Sequence, residues 1–187
     1  MPKQRVTREM VVEAAFSLAR EGGMENVMVK TLAERLDCST QPIYSYARNM
    51  DDLRRAVEEM TLDFVRSYVR KRMDPDDLFH SVGRAHLMLA KEEPNLFKIF
   101  ILQTRYNVDK LDDLVGDNAG VELYIARQLD ISSEMARQLH LNMLIYTVGL
   151  GTVFAGTQPG ISSDEILERA EMAYQAFLDM ARKGDKQ

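Results

Sequence analysis

The chain has 187 residues, 45% of them hydrophobic and 28% charged, with a formal net charge of −5. This is ordinary for a folded globular protein, built either as one large domain or as a small module joined to a medium one. The acidic balance excludes a surface that binds nucleic acid throughout, but it leaves room for a local basic site. That balance is uneven: residues 1–55 hold nine Lys/Arg against eight Asp/Glu, and residues 56–187 hold fifteen against twenty-one. Pro2–Arg8 and Cys38–Met50 contain no acid, so both can approach phosphates without repulsion. The single cysteine, Cys38, excludes an internal disulfide and fits a reducing compartment. The polar N-terminus has no apolar segment of the kind a secretory leader needs, which makes a cytoplasmic location the expectation.

Thr7 is placed to cap a first helix, with Val6 and Val11 spaced as a hydrophobic staple and Gly22-Gly23 as its stop. The charged arm Pro2–Arg5 precedes it. Val29–Leu36 reads as a second helix with Leu32, Ala33 and Leu36 on one side. The turn Asp37-Cys38-Ser39 calls for a left-handed residue, and Asp is among the few besides Gly that tolerate it. A third helix starts at Ser39 or Thr40, because Pro42 in a first turn removes only a donor that lacks an intrahelical partner. Ile43 is its one strongly apolar side chain and so its anchor, which leaves Gln41, Tyr44, Ser45 and Tyr46 facing outward. Gln pairs with adenine edges, Ser and Thr bond to bases or phosphates, and Tyr offers a hydroxyl to phosphate. Two short helices around a tight turn, the second polar outside, are the pattern of a helix-turn-helix reader.

Asn49 caps a long helix whose apolar residues Leu53, Ala56, Val57, Met60, Phe64 and Tyr68 repeat to about Arg72. Helices are expected next over Asp76–Lys91 and Asn95–Leu102, then a loop at Thr104–Lys110 and a helix over Leu111–Leu129. A further helix, capped by Ser132 or Ser133, runs to about Ala155 and is apolar on most of its circumference. Its unbroken apolar part, Met143–Gly156, is short for a bilayer span and is expected to be core rather than membrane. Ser162 and Glu165 form a capping box, and Ile161 with Ile166 a staple, before the last helix. Two successive helices with excess apolar face predict a four-helix contact between two chains. The fold class expected is all-α, about nine helices.

No phosphate loop, nucleophile elbow or catalytic carboxylate pair is present, and no enzyme activity, cofactor or metal is expected. His80 and His86, six residues apart on different sides of a helix, and His140 do not make a metal cluster. His80, His86, Phe97, Phe100, Gln103, Tyr124, Asn142, Tyr146 and Phe154 lie on the helices that should enclose a mostly apolar ligand cavity.

Residues 5–55 resemble the DNA-binding domain of the TetR/AcrR family of bacterial transcriptional regulators. The likeness is carried by the first helix ending at Gly22-Gly23, by Lys30-Thr31-Leu32-Ala33-Glu34-Arg35-Leu36, by Ser39-Thr40-Gln41-Pro42-Ile43-Tyr44 and by Asn49 through Leu53. The chain departs from the family at Tyr46, where His is frequent, at Ala47, where an aromatic is frequent, and at Met50, where a phosphate-contacting Lys is common. The resemblance implies DNA contacts by Lys30, Thr31, Thr40, Gln41, Tyr44, Ser45 and Tyr46; Ser39 joins them, and Arg48 is the candidate to replace the missing lysine. It also implies a homodimer through the last two helices and a cavity for a small molecule among the middle ones. The organisation expected is a DNA-binding domain over 1–48 and a ligand-binding and dimerisation domain over 49–187, joined by the helix 49–72. The expected function is a repressor that leaves a near-palindromic double-stranded operator when a ligand tilts that helix. The alternative, motivated by Met50, is a helical small-molecule-binding protein that has lost DNA.

Overall fold

A computed structural model describes residues 6–46, 50–103, 119–156 and 160–184. Among them are nine α-helices and no strand: α1 Arg8–Gly22, α2 Val29–Arg35, α3 Thr40–Tyr46, α4 Met50–Arg70, α5 Leu78–Glu92, α6 Pro94–Gln103, α7 Ala119–Leu129, α8 Ser133–Gly156 and α9 Ser163–Gly184. Short 3-10 turns cover Met24–Asn26 and Pro75–Asp77. The Pro2–Arg5 arm, Arg48, the Asn49 cap, the Thr104–Lys110 loop and residues 111–118 lie outside the described residues.

The local signals act as their chemistry requires. The Met10 N–H donates to Thr7 Oγ1 at 3.3 Å, and Val6 and Val11 are buried in one cluster. Asp37 takes φ 47°, the Cys38 N–H donates to the Ala33 carbonyl at 3.0 Å and the Asp37 N–H to that of Glu34 at 3.3 Å. These reverse bonds satisfy the last carbonyls of α2 and turn the chain sharply into α3. The Glu165 N–H donates to Ser162 Oγ at 3.1 Å, and Ile161 packs against the cluster that holds Ile166. One boundary differs from expectation. Asp74 accepts from the Asp76 N–H at 3.0 Å and closes a 3-10 turn, so α5 begins at Leu78, two residues later than its sequence pattern predicts.

The first core is made by α1, α2, α3 and α4, with Leu32, Ile43, Val57, Ala15 and Ala19 fully buried, and α6 contributes Leu96 and Ile99 to it. Each fully buried Leu, Ile or Val stabilises by roughly 1.5–3 kcal/mol before entropy is counted. A second core joins α7, α8 and α9 through Ile125, Leu139, Tyr174 and Leu178. Between them lies a junction of Val65 and Tyr68 from α4, Leu89 and Ala90 from α5, Phe97 from α6 and Ala155 from α8. By length and composition α8 could cross a membrane. In the fold it is instead packed by α5, α6, α7 and α9.

Candidate functional site

Two places meet the requirements of a site: the outer side of α3, and a cavity among α5 to α9. The Ile43 anchor on α3 is fully buried, while Ser39, Thr40, Gln41, Tyr44, Ser45 and Tyr46 are exposed, Tyr44 to 61%. With no acid on α3, that outer face offers amide, hydroxyl and phenol groups to a ligand without charge repulsion. Tyr46 overlies a polar cleft that also holds Arg8 of α1 and Arg55 of α4. Arg55 is the cation that sequence reading passed over; the packing of α4 on α1 brings it there, and it pairs with Asp52. Lys30 is exposed, 4.0 Å from Glu34.

Thr31 and Met50 both have roles within the fold. The Thr31 hydroxyl donates to the Asn26 carbonyl at 2.6 Å and accepts from the Met28 N–H at 3.2 Å. Both hydrogen bonds hold the start of α2, so its oxygen serves the fold first. Met50 is packed against the first core. A lysine there would have to leave that contact to reach a phosphate.

The cavity has a volume of about 440 Å³, toward the low end of the ~300–1,000 Å³ usual for small-molecule sites. Of the residues expected around it, His80, His86, Phe97, Phe100 and Tyr124 line it. Asn142, Tyr146 and Phe154 do not. Tyr146 packs edge-on to Phe177 of α9, and Phe154 is buried with Leu87 and Ile166. Gln103 ends α6, and its side chain is outside the described residues. Phe79, His140, Met143, Thr147, Glu171 and Tyr174 complete the wall and were not foreseen. On α8 the inward positions are 140, 143, 144, 147 and 148, a run of helical spacing that an almost uniformly apolar helix does not reveal in its sequence. His80 and His86 were set on different sides of a helix. Both reach the cavity, because it runs along two turns of α5 and partly around it.

The polar groups of the wall form a definite pattern. His80 Nδ1 lies 2.6 Å from Asp77 Oδ1, and Arg84 donates to Asp77 Oδ2 at 2.9 Å. Burial works to raise Asp77, but the bonds from Arg84 and His80 outweigh it and hold the carboxyl below its usual value. His86 Nδ1 lies 2.8 Å from the Val82 carbonyl, and its ring stacks on Phe100 at 5.8 Å. Burial pushes the basicity of His86 and of His140 down, so both are neutral rings near neutral pH. His80 Nε2 and His140 Nδ1 are buried without a hydrogen-bond partner among the described residues, His80 Nε2 standing 3.8 Å from Glu171.

No residue of α4 lines the cavity. The link between the cavity and the first core is α6: Phe97, Phe100 and Ile101 face the cavity, while Leu96 and Ile99 sit in the first core. The start of α6 is tied to the end of α1. Arg20 binds Glu93 through two nitrogens, with Nε to Oε2 at 2.8 Å, and Asn95 Nδ2 donates to the Arg20 carbonyl at 3.0 Å. The Glu93 hydrogen bond raises the already high basicity of the Arg20 guanidinium, so the pair stays ionic. Tyr68 of α4 donates to Glu92 Oε2 at 2.7 Å, and Arg72 bonds the same oxygen at 3.0 Å while lying over the Tyr68 ring.

The sequence matches no protein-family profile and no curated protein. In fold it is similar to the crystal structure of a transcriptional regulator from Rhodococcus sp. Rha1, with a TM-score of 0.61 at 14% identity, covering 93% of this chain and 97% of that one. At that identity the likeness is one of fold.

Proposed function

We propose that the chain is a DNA-binding transcriptional regulator of the TetR/AcrR kind, a cytoplasmic homodimer whose grip on a near-palindromic operator is controlled by a small molecule in the α5–α9 cavity. The observation that carries this reading is the double duty of α6, which walls the cavity on one side and fills the reader's core on the other. Ligand in the cavity presses on Phe97, and Phe97 belongs to the same buried cluster as Val65 and Tyr68 of α4. The expected tilt of α4 is thus relayed through α6 rather than received directly. Residues 1–48 act as the reader, with Thr40, Gln41, Tyr44, Ser45 and Tyr46 toward the groove and Lys30, Arg8 and Arg55 toward phosphates. Dimerisation is supported by the outer side of α8, where Ile145, Gly149, Thr152 and Val153 form an exposed face without charge, flanked by Met172 and Met180 of α9. A second copy placed on it gives the two readers the two-fold symmetry of a palindromic site.

Mobility shift of the full chain on its own upstream DNA tests the reading. Affinity falls steeply as salt rises from ~50 to ~200 mM. Gln41→Ala weakens specific binding by about 1–3 kcal/mol, as loss of a bidentate base contact does. Salt-insensitive binding, or no binding to any candidate operator, sinks it. Ile145→Glu yields a monomer in light scattering that no longer shifts the operator.

A further inference from the structure

The chemistry of the cavity wall restricts what fits inside, and this step rests on the reading of that cavity as the ligand site. The His86 Nδ1 partner is a backbone carbonyl, which only accepts. The proton of the neutral ring therefore sits on Nδ1, and Nε2, at the far end of a ring whose Nδ1 turns back to its own helix, is a lone-pair acceptor. His80 Nδ1 is held likewise, by the Asp77 carboxylate, but its Nε2 stands 3.8 Å from Glu171. The surrounding wall is aromatic and aliphatic, with Phe79, Phe97, Phe100 and Tyr124 among its members. The two charged side chains of the wall are Arg84, engaged with Asp77, and Glu171, which is half exposed to solvent. Neither is a dedicated counter-ion, so an ionic ligand would lose its hydration without an equal return. A purely hydrocarbon ligand would bury the His86 lone pair unmatched.

We propose that the cavity takes an uncharged, largely aromatic molecule carrying a hydroxyl donor, a phenol in the first instance, whose O–H is accepted by His86 Nε2 while its ring lies among Phe79, Phe97 and Phe100. Phe100 stacked on His86 fixes the plane of the acceptor. The ring of the guest lies against Phe97, which shares a buried cluster with Val65 and Tyr68 of α4, so occupancy and the pose of the reader are coupled through the same cluster.

Equilibrium dialysis of the full chain at neutral pH against four matched probes decides the matter: 4-phenylphenol, 4-methylbiphenyl, biphenyl-4-carboxylate and 4-phenylbenzylamine. The phenol is held about tenfold more tightly than each of the other three, the effect expected of one buried acceptor matched or unmatched. In His86→Phe, which keeps a ring against Phe100 but removes the acceptor, the advantage of the phenol over 4-methylbiphenyl disappears while 4-methylbiphenyl binds within about twofold of its original strength. Where that variant fails to fold, the order of the four probes on the unaltered chain stands as the test. Tightest binding of the carboxylate or the amine, equal binding of phenol and methylbiphenyl, no binding of any probe, or an undiminished phenol preference in folded His86→Phe each overturns the proposal. Dialysis contains no DNA. Phenol selectivity without operator binding sinks the regulator reading and keeps this one, and operator binding without phenol selectivity does the reverse.

Discussion

The two ends of the molecule are packed to different standards. At the N-terminal end, α1 to α4 bring together Ala15, Ala19, Leu32, Ile43 and Val57 with no measurable exposure, and the buried hydroxyl of Thr61 is satisfied by the Val57 carbonyl at 2.8 Å. At the other end, the walls of α5 to α9 stand apart around about 440 Å³, and two imidazole nitrogens are left without partners among the described residues. A close-packed core holds one shape, and a hollow one with unmet polar groups gains by accepting a guest. Stiffness has been placed where a fixed geometry is useful, and slack where adjustment is.

That contrast can be broken from either end. Ile43→Ala is expected to have the largest effect, about 2–5 kcal/mol, because α3 has no second anchor. Denaturation followed by circular dichroism measures it, and dialysis of 4-phenylphenol into the folded fraction should be unchanged. A matching loss of uptake would mean that the two ends are one unit. Next comes a pair of glycines of opposite sign. A Cβ at Gly151 would stand 2.6 Å from Cζ of the fully buried Phe97 ring, so Gly151→Ala destabilises by about 1–2 kcal/mol despite its better helix propensity. A Cβ at Gly83, in the cavity wall, meets nothing, so Gly83→Ala stabilises by roughly 0.5–1 kcal/mol. Two melting curves check both; equal signs would deny the difference in packing. The tie between the ends is weaker. Because the Arg20 side chain is 47% exposed, a double-mutant cycle of Arg20→Ala with Glu93→Gln should give a coupling of no more than about 1 kcal/mol.

The shallowest effect is on pH. His86 and His140 are held below their usual value of 6.5, by burial first. The unfolded chain therefore binds protons that the folded chain refuses, and their contribution to stability, complete above pH 6.5, is lost as pH falls toward the depressed folded values. The melting temperature should drop from pH 7 to about pH 5, and less so in His86→Phe. A flat profile would mean that the rings are solvated and the cavity end is not apolar.

The reader was legible because each of its signals is local. Thr7, Asp37, Pro42 and the lone Ile43 act within a few residues of themselves, and each does in the fold what its chemistry demands. The all-α architecture followed from the same kind of signal. The cavity was legible only in part. His80, His86, Phe97, Phe100 and Tyr124 were found by being large or polar on apolar helices, but the inward face of α8 is set by how five helices lean together, and an all-round apolar helix carries no record of that. The role of Thr31 within the fold was not legible: a hydroxyl at the start of a helix reads equally well as a cap or a contact, and only the structure shows it accepting from the Met28 N–H at 3.2 Å. Arg20–Glu93 joins residues far apart in sequence through two surface-type side chains, which no local pattern marks.

Phe97 also bears on how such a molecule can diverge. If the chain is the regulator proposed above, one ring belongs both to the cavity wall and to the cluster that holds Val65 and Tyr68 of α4, so a substitution there would change guest and reader together and a lineage could not exchange it for a new taste alone. The opposite walls, around Val121 and Tyr124 of α7 and Leu167 and Ala170 of α9, lie away from the reader's core. Those are the positions where chemical preference can drift from one descendant to the next while the lever beneath it stays in working order.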